Sequence, residues 1–166
     1  MTMQELLAPG RFVDSNTPSI EAFAHRVTAE LRDETDRIVR LYRAVRDSIV
    51  YDPYVDVFDQ QNYRASSVLA AGRGFCIGKS AVLAATARVI GVPARVGYAD
   101  VRNHLTSRRL RERTKSDIFI WHFLCRSLHR REMGQSDPGI RSGALRTGRI
   151  ETTRVRWPAR FTVSSL

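Results

Sequence analysis

The stretch that most constrains this chain runs from Cys76 to Ile90: Cys-Ile-Gly-Lys-Ser-Ala-Val-Leu-Ala-Ala-Thr-Ala-Arg-Val-Ile, apolar on nearly every side. A helix of that pattern has no face to offer water and must be buried on most sides. The rest of the chain therefore has to supply enough elements to surround it. Ala81, Ala84, Ala85 and Ala87 let those neighbours approach closely. Gly72-Arg73-Gly74 breaks the chain before the helix, Gly91 stands where a C-terminal cap glycine belongs, and Pro93 prevents continuation.

The surrounding elements are legible in part. Thr17-Pro18, with Glu21 in the first turn, predicts a helix start, and the segment through Leu31 reads as a short amphipathic helix. Thr35-Asp36 is expected to cap a stronger helix, with Ile38, Leu41, Tyr42, Val45 and Ile49 at helical spacing and Arg37, Arg40, Arg43 and Asp47 mainly opposite. Val50-Tyr51-Asp52-Pro53 ends it, because proline disfavours helix at its predecessor. Ser66 to Ala71 reads as a short helix. Ala94 to Val101 alternates as a strand does, and Ile118 to Leu124 is rich in β-formers. Helices followed by strands predict an α+β fold with the central buried helix packed on a sheet. A chain of 166 residues is one domain by length. Within it we expect an N-terminal helical segment, 1–34, a core, 35–124, and an arginine-rich tail, 125–166.

No apolar run approaches the roughly 20 residues of a membrane span, and the N-terminus lacks a basic flank followed by an apolar stretch. Two cysteines, Cys76 and Cys125, make no disulfide framework. The expectation is a reduced, cytoplasmic setting and no membrane partner. Net charge is +10, but residues 123–166, with nine arginines against three acids, carry +6 of it. Such a tail ordinarily points to an anionic partner. No recognised nucleic-acid motif accompanies it or the run Arg108-Arg109-Leu110-Arg111-Glu112-Arg113, so a nucleic-acid module is the weaker reading.

Cys76 follows a glycine-punctuated loop and opens the helix. The first amides of a helix are unsatisfied donors and its dipole there favours negative charge, so a thiolate is stabilised and its pKa is expected to fall. The amide of Cys76 is placed to help hold an oxyanion, and Gly74 is expected to permit close approach of a substrate backbone. An imidazole would complete the pair by taking the thiol proton and returning it to the leaving group. His122, within a predicted strand, is the best candidate. Periodicity alone does not separate this from a small, buried, inert cysteine.

The linked motifs Arg64-Ala65-Ser66-Ser67-Val68-Leu69, Gly72-Arg73-Gly74-Phe75-Cys76, Lys79-Ser80-Ala81-Val82-Leu83 and Gly91-Val92-Pro93-Ala94-Arg95-Val96-Gly97 resemble the transglutaminase-like superfamily. In that family a glycine-preceded cysteine opens the central helix, the helix ends in a Gly-[Ile/Val]-Pro-Ala-Arg segment entering a strand, and a later strand supplies the histidine. The resemblance covers roughly residues 35–122. It implies a papain-like core with an antiparallel sheet, Cys76 as nucleophile, His122 as base, no cofactor and no metal. The implied reaction is acyl transfer through a thioester on a protein or peptide substrate: amide hydrolysis, deamidation or amide exchange. A catalytically dead interaction domain is the alternative. His104, in a polar loop, is a rival base that the family motif does not assign.

After His122 the pattern fails. The family continues the strand, turns, and returns with the acid that orients the imidazole. Here Cys125-Arg126-Ser127-Leu128-His129-Arg130-Arg131 leads into a tail rich in Arg, Ser, Thr and Gly, where only Val155, Trp157, Phe161 and Val163 hint at a strand. The tail reads as an out-of-frame translation. A shifted reading of the Met133-Gly134 junction must encode tryptophan, and permitted codons recover a strand, an Asp-Gly turn and a second strand. The sheet is then incomplete, its edge exposed at Ile118–Leu124, and the tail poorly ordered. Asp137 before Pro138 is the one rival for the third catalytic residue. Cys125 and His129 have C-x3-H spacing near His122, but three ligands at this junction fall short of a zinc site.

Overall fold

The central helix is buried as its composition requires. In the computed structural model α5 spans Cys76–Val89, and every residue from Gly78 through Ala87 is buried. The structure describes residues 2–98 and Cys125 with their side chains, and the backbone of 99–102, 118–129, 132–136 and 152–156. Four helices precede α5: α1 (Met3–Leu7), α2 (Pro18–Thr28), α3 (Glu34–Ser48) and α4 (Ala65–Ala71). Between α3 and α4 lie the short strand β1 (Val50–Tyr51) and a 3-10 turn at Gln60–Tyr63; β2 (Arg73–Gly74) lies between α4 and α5. The strands β3 (Ala94–Arg102), β4 (Ile118–His129), β5 (Glu132–Ser136) and β6 (Thr152–Arg156) follow.

Helices α2, α3 and α4 pack on α5, and so do β3 and β4. One core results. Ile20, Phe23 and Ala24 of α2 join Ile38, Leu41 and Val45 of α3, Val68 of α4, the alanines of α5, and Val92, Ala94 and Cys125 on the sheet side. The N-terminal segment thus shares the core of the residues after it. The Schellman pattern closes α5: Val92 N–H donates to Ala87 O at 2.9 Å and Gly91 N–H to Arg88 O at 3.0 Å, with Gly91 at φ +82°. Arg88 clamps the turn that follows, donating from Nε and Nη2 to Ala94 O at 2.9 and 2.8 Å.

The α3 cap differs from expectation. Asp33, not Thr35-Asp36, is the N-cap: its Oδ1 accepts the amides of Thr35 at 2.9 Å and Asp36 at 3.1 Å. A carboxylate just outside the first turn reaches two orphan donors, which leaves Thr35 and Asp36 as the residues being capped.

The sheet order is β5-β4-β3-β6, all neighbours antiparallel. Glu132–Ser136 and Thr152–Arg156, within the arginine-rich segment 125–166, are strands in this sheet. The physical reason is that ladder bonds are made by backbone: the outer edges of β4 and β3 present rows of N–H and C=O groups that a chain of almost any side-chain composition can satisfy. Strand β5 pairs with Cys125–His129 of β4 only, so among the described residues no strand covers the outer edge of Ile118–Leu124.

Asp14 fastens α4 from far away in sequence. Its Oδ1 accepts Ser66 N–H at 3.1 Å, and its Oδ2 accepts Arg64 Nε and Thr17 Oγ1, both at 2.9 Å. Burial alone would raise this carboxyl; the bonds from Ser66, through hydroxyl and amide, and from Arg64 and Thr17 outweigh it and hold the pKa below its ordinary 3.8. A depressed carboxylate contributes stability that is present above the unfolded-state value and lost as pH falls through the folded one. Asp14→Asn is therefore expected to lose about 2 kcal/mol near neutral pH, with the gap to wild type closing below about pH 4. Urea melts across that range check it, and a constant gap would refute the linkage.

Candidate active site

Cys76 is the first residue of α5, with Phe75 as an extended N-cap whose side chain makes no capping bond. The cysteine is half-buried and in no disulfide. The chain reaches it through β2, which pairs in parallel with β1, Val50 opposite Arg73 and Tyr51 opposite Gly74. Val50 N–H donates to Gly72 O at 2.9 Å and Asp52 N–H to Gly74 O at 3.0 Å. The Phe75 ring meets Tyr63 edge-on, centroids 5.3 Å apart, and Tyr63 in turn meets Phe12 at 6.2 Å. The start of α5 is thus held from both flanks, by backbone on one and aromatic rings on the other.

Gly74 is needed for packing, whatever it offers a substrate. It is buried, and a Cβ there would lie 2.8 Å from Val68 Cγ1. Its missing side chain makes room for α4. Gly78, which the sequence reading passed over, is tighter still: a Cβ would meet Asn62 O at 2.6 Å and Val68 Cγ2 at 2.9 Å. The 3-10 turn and α4 approach the first turn of α5 this closely only because both positions are glycine.

Lys79 was also missed as a structural residue. It is fully buried, and its Nζ donates to Arg46 O at 3.1 Å and to Ile49 O, the last carbonyls of α3. A lysine in an alanine-rich run carries a signal that could have been read: a long donor on a buried helix must find acceptors inside.

His122 lies in β4 opposite Ala99 of β3. Just before it the register shifts: Ile120 and Trp121 face the single residue Asp100 between the pairs His122–Ala99 and Phe119–Val101. This is a β-bulge, a device that bends a strand and re-aims the next side chain, and one enriched beside active sites. Strand β4 packs against α5, so the structure brings the strand of His122 to the helix of Cys76. The position of the imidazole ring lies outside the described residues, as do His104, Asp137 and the run Arg108–Arg113.

Cys125, weighed above as a metal ligand, is a core residue. It pairs with Val96 and is buried, which pushes its thiol up to about 12 despite the opposing charge of Arg88. The two cysteines therefore differ in kind: one half-exposed at a helix N-terminus, one sealed among apolar neighbours.

The relatives agree with this architecture. No curated protein sequence matches the chain. Among solved structures, a candidate cysteine protease from Cytophaga hutchinsonii superposes with TM-score 0.64 at 15% identity, over 82% of this chain and 42% of that one. A TGase gives 0.55 at 17% identity, over 92% and 36%. The periplasmic domain of TgpA from Pseudomonas aeruginosa gives 0.55 at 14%, over 82% and 46%. The chain spans less than half the length of each of these proteins, and at such identities the likeness is one of fold. The profile of the transglutaminase-like superfamily matches residues 21–130, from α2 through the strand that carries His122. With most of its length inside that match, the chain belongs to the transglutaminase-like superfamily.

Proposed function

We propose that this is a thiol acyl-transfer domain, with Cys76 as nucleophile and His122 as general base, acting on an amide of a protein or peptide. The observation that carries the reading is the seat of Cys76: half-buried, first in a buried helix, at the end of a short strand pinned on both flanks. Family membership and the bulge before His122 add to it. The thiolate attacks the amide carbonyl, and the amide of Cys76 at the head of α5 helps hold the oxyanion. The C–N bond breaks as the imidazolium returns its proton to the leaving amine, leaving a thioester. Water or an amine then attacks the thioester and releases an acid or a new amide with the thiolate.

Alkylation with iodoacetamide tests this. We expect one fast-reacting thiol in the folded protein and two after denaturation, because Cys125 is sealed in the core. The rate at Cys76 should follow an apparent pKa below the ordinary thiol value of about 8.5. A Cys76 that titrates at about 8.5 or above would falsify the activated-thiol reading.

A further inference from the structure

The loop between β1 and the 3-10 turn is the most exposed apolar surface among the described residues. Tyr54 is 85% and Phe58 92% exposed, and Val50, Tyr51 and Val57 are exposed beside them. Only Met3 and Leu7 join them as exposed large hydrophobics among the described residues. Aromatic side chains held in water at one place mark a binding surface.

The loop is held in shape. Asp52 Oδ1 accepts Tyr54 N–H, Asp56 Oδ1 accepts Phe58 N–H and Asp59 Oδ1 accepts Gln61 N–H, each at 2.9 Å. Asn62 Nδ2 donates to Asp56 O at 2.8 Å, and Tyr63 OH to Val57 O at 2.6 Å. Both ends are anchored next to the nucleophile. The loop leaves from Tyr51, opposite Gly74, and returns at Tyr63, whose ring lies against Phe75. Each anchor touches a residue within two of Cys76.

Its charge runs against that of the chain. Between Arg46 and Arg64 there is no Lys or Arg, while Asp52, Asp56 and Asp59 fall on the loop of a chain carrying +10 overall. Asp52 lies 3.5 Å from Arg73; Asp56 and Asp59 are exposed. An acidic rim around aromatic side chains favours a partner with a basic residue beside an apolar one. It repels phosphate backbones, and a second copy docking by two-fold symmetry would set one acidic loop against another.

We propose that residues 50–59 are the docking surface for the acyl-donor peptide, taking an apolar or aromatic side chain next to a basic one. This deepens the acyl-transfer reading and rests on it. Peptidyl vinyl sulfones ending in Phe-Arg, Ala-Ala and Phe-Glu probe it, with iodoacetamide as a probe of the thiol alone. Phe-Arg should label Cys76 about tenfold faster than the other two. The double variant Tyr54→Ser/Phe58→Ser, altered only at exposed positions, should bring Phe-Arg down to the Ala-Ala rate while iodoacetamide is unchanged. Asp56→Asn/Asp59→Asn should narrow the gap between Phe-Arg and Phe-Glu. Equal labelling by all three peptides in the native protein overturns the proposal, as does a Phe-Arg preference that survives the aromatic double variant. A dimer in sedimentation that this variant abolishes overturns it too, in favour of self-association. An ordinary iodoacetamide profile sinks the activated thiol instead, and the peptide ratios at Cys76 still report on docking.

Discussion

Replacing Cys76 by Ser is expected to abolish the burst of nitrophenolate that the acyl-transfer reading predicts for the folded protein with p-nitrophenyl acetate, an acyl donor that asks nothing of a peptide-binding surface. A serine hydroxyl at the same seat has no accessible anion, so the loss should reach the uncatalysed background, a factor of at least about a thousand. His122→Ala should slow acylation by about 10² to 10⁴ near neutral pH, the usual worth of a positioned base. The sign with pH is specific. A base matters most where the thiol is mostly protonated, so the deficit of His122→Ala should shrink as pH rises past the thiol's own pKa. The double variant should be no worse than Cys76→Ser, as expected of a nucleophile and base that act as one unit. A full burst from His122→Ala would remove that residue from the chemistry, leaving His104 as the next candidate. Helix stability should hardly change in Cys76→Ser, since the side chain is half-exposed and serine is close in size.

Much of the fold was legible because the signals were strong and local. The apolar run from Cys76 gave α5 to within a residue of its observed end, and Gly91 with Pro93 gave its stop. The spacing of Ile38, Leu41, Tyr42 and Val45 gave α3, whose four buried residues are those. What failed was tertiary. Asp14 caps α4 from fifty-two positions before Ser66, a partnership no local window contains. The two-residue strands β1 and β2 are too short for periodicity to register, yet they lead the chain to Cys76. The packing role of Gly74 was not legible, because Val68 fills the place of its missing side chain from another helix. Composition says little about strands whose bonds are made by backbone, so β5 and β6, paired with the two strands that offer edges, were not legible. Of the candidate site, the place of Cys76 at a helix start after glycines was visible in sequence. The bulge before His122 was not, since it depends on how β4 registers with β3.

Lys79→Ala is expected to destabilise the fold by about 3–5 kcal/mol, against a total of about 5–15 for a domain of this kind. Two effects add. Truncation leaves a cavity in the core, and it strands the carbonyls of Arg46 and Ile49 without the donor that reaches them. Lys79→Met separates the two by keeping most of the volume. Exchanging a buried charged group for an apolar one of similar size is often neutral or better, because desolvation of the charge is relieved. Here the acceptors are backbone and remain, so relief is offset by unsatisfied carbonyls at the C-terminus of α3, and the cation that suits that end of a helix is gone. We expect Lys79→Met to cost about 1–3 kcal/mol, less than Lys79→Ala but clearly more than zero. The effect should also travel to the site. Ile49 leads directly into β1, and β1 holds β2 and the approach to Cys76 through the amides of Val50 and Asp52. Hydrogen exchange at those two amides should speed up in Lys79→Met, and the iodoacetamide rate at Cys76 should move toward that of an ordinary thiol. A Lys79→Met protein as stable as wild type, with both amides equally protected, would mean that α3 holds the nucleophile's loop without help from α5.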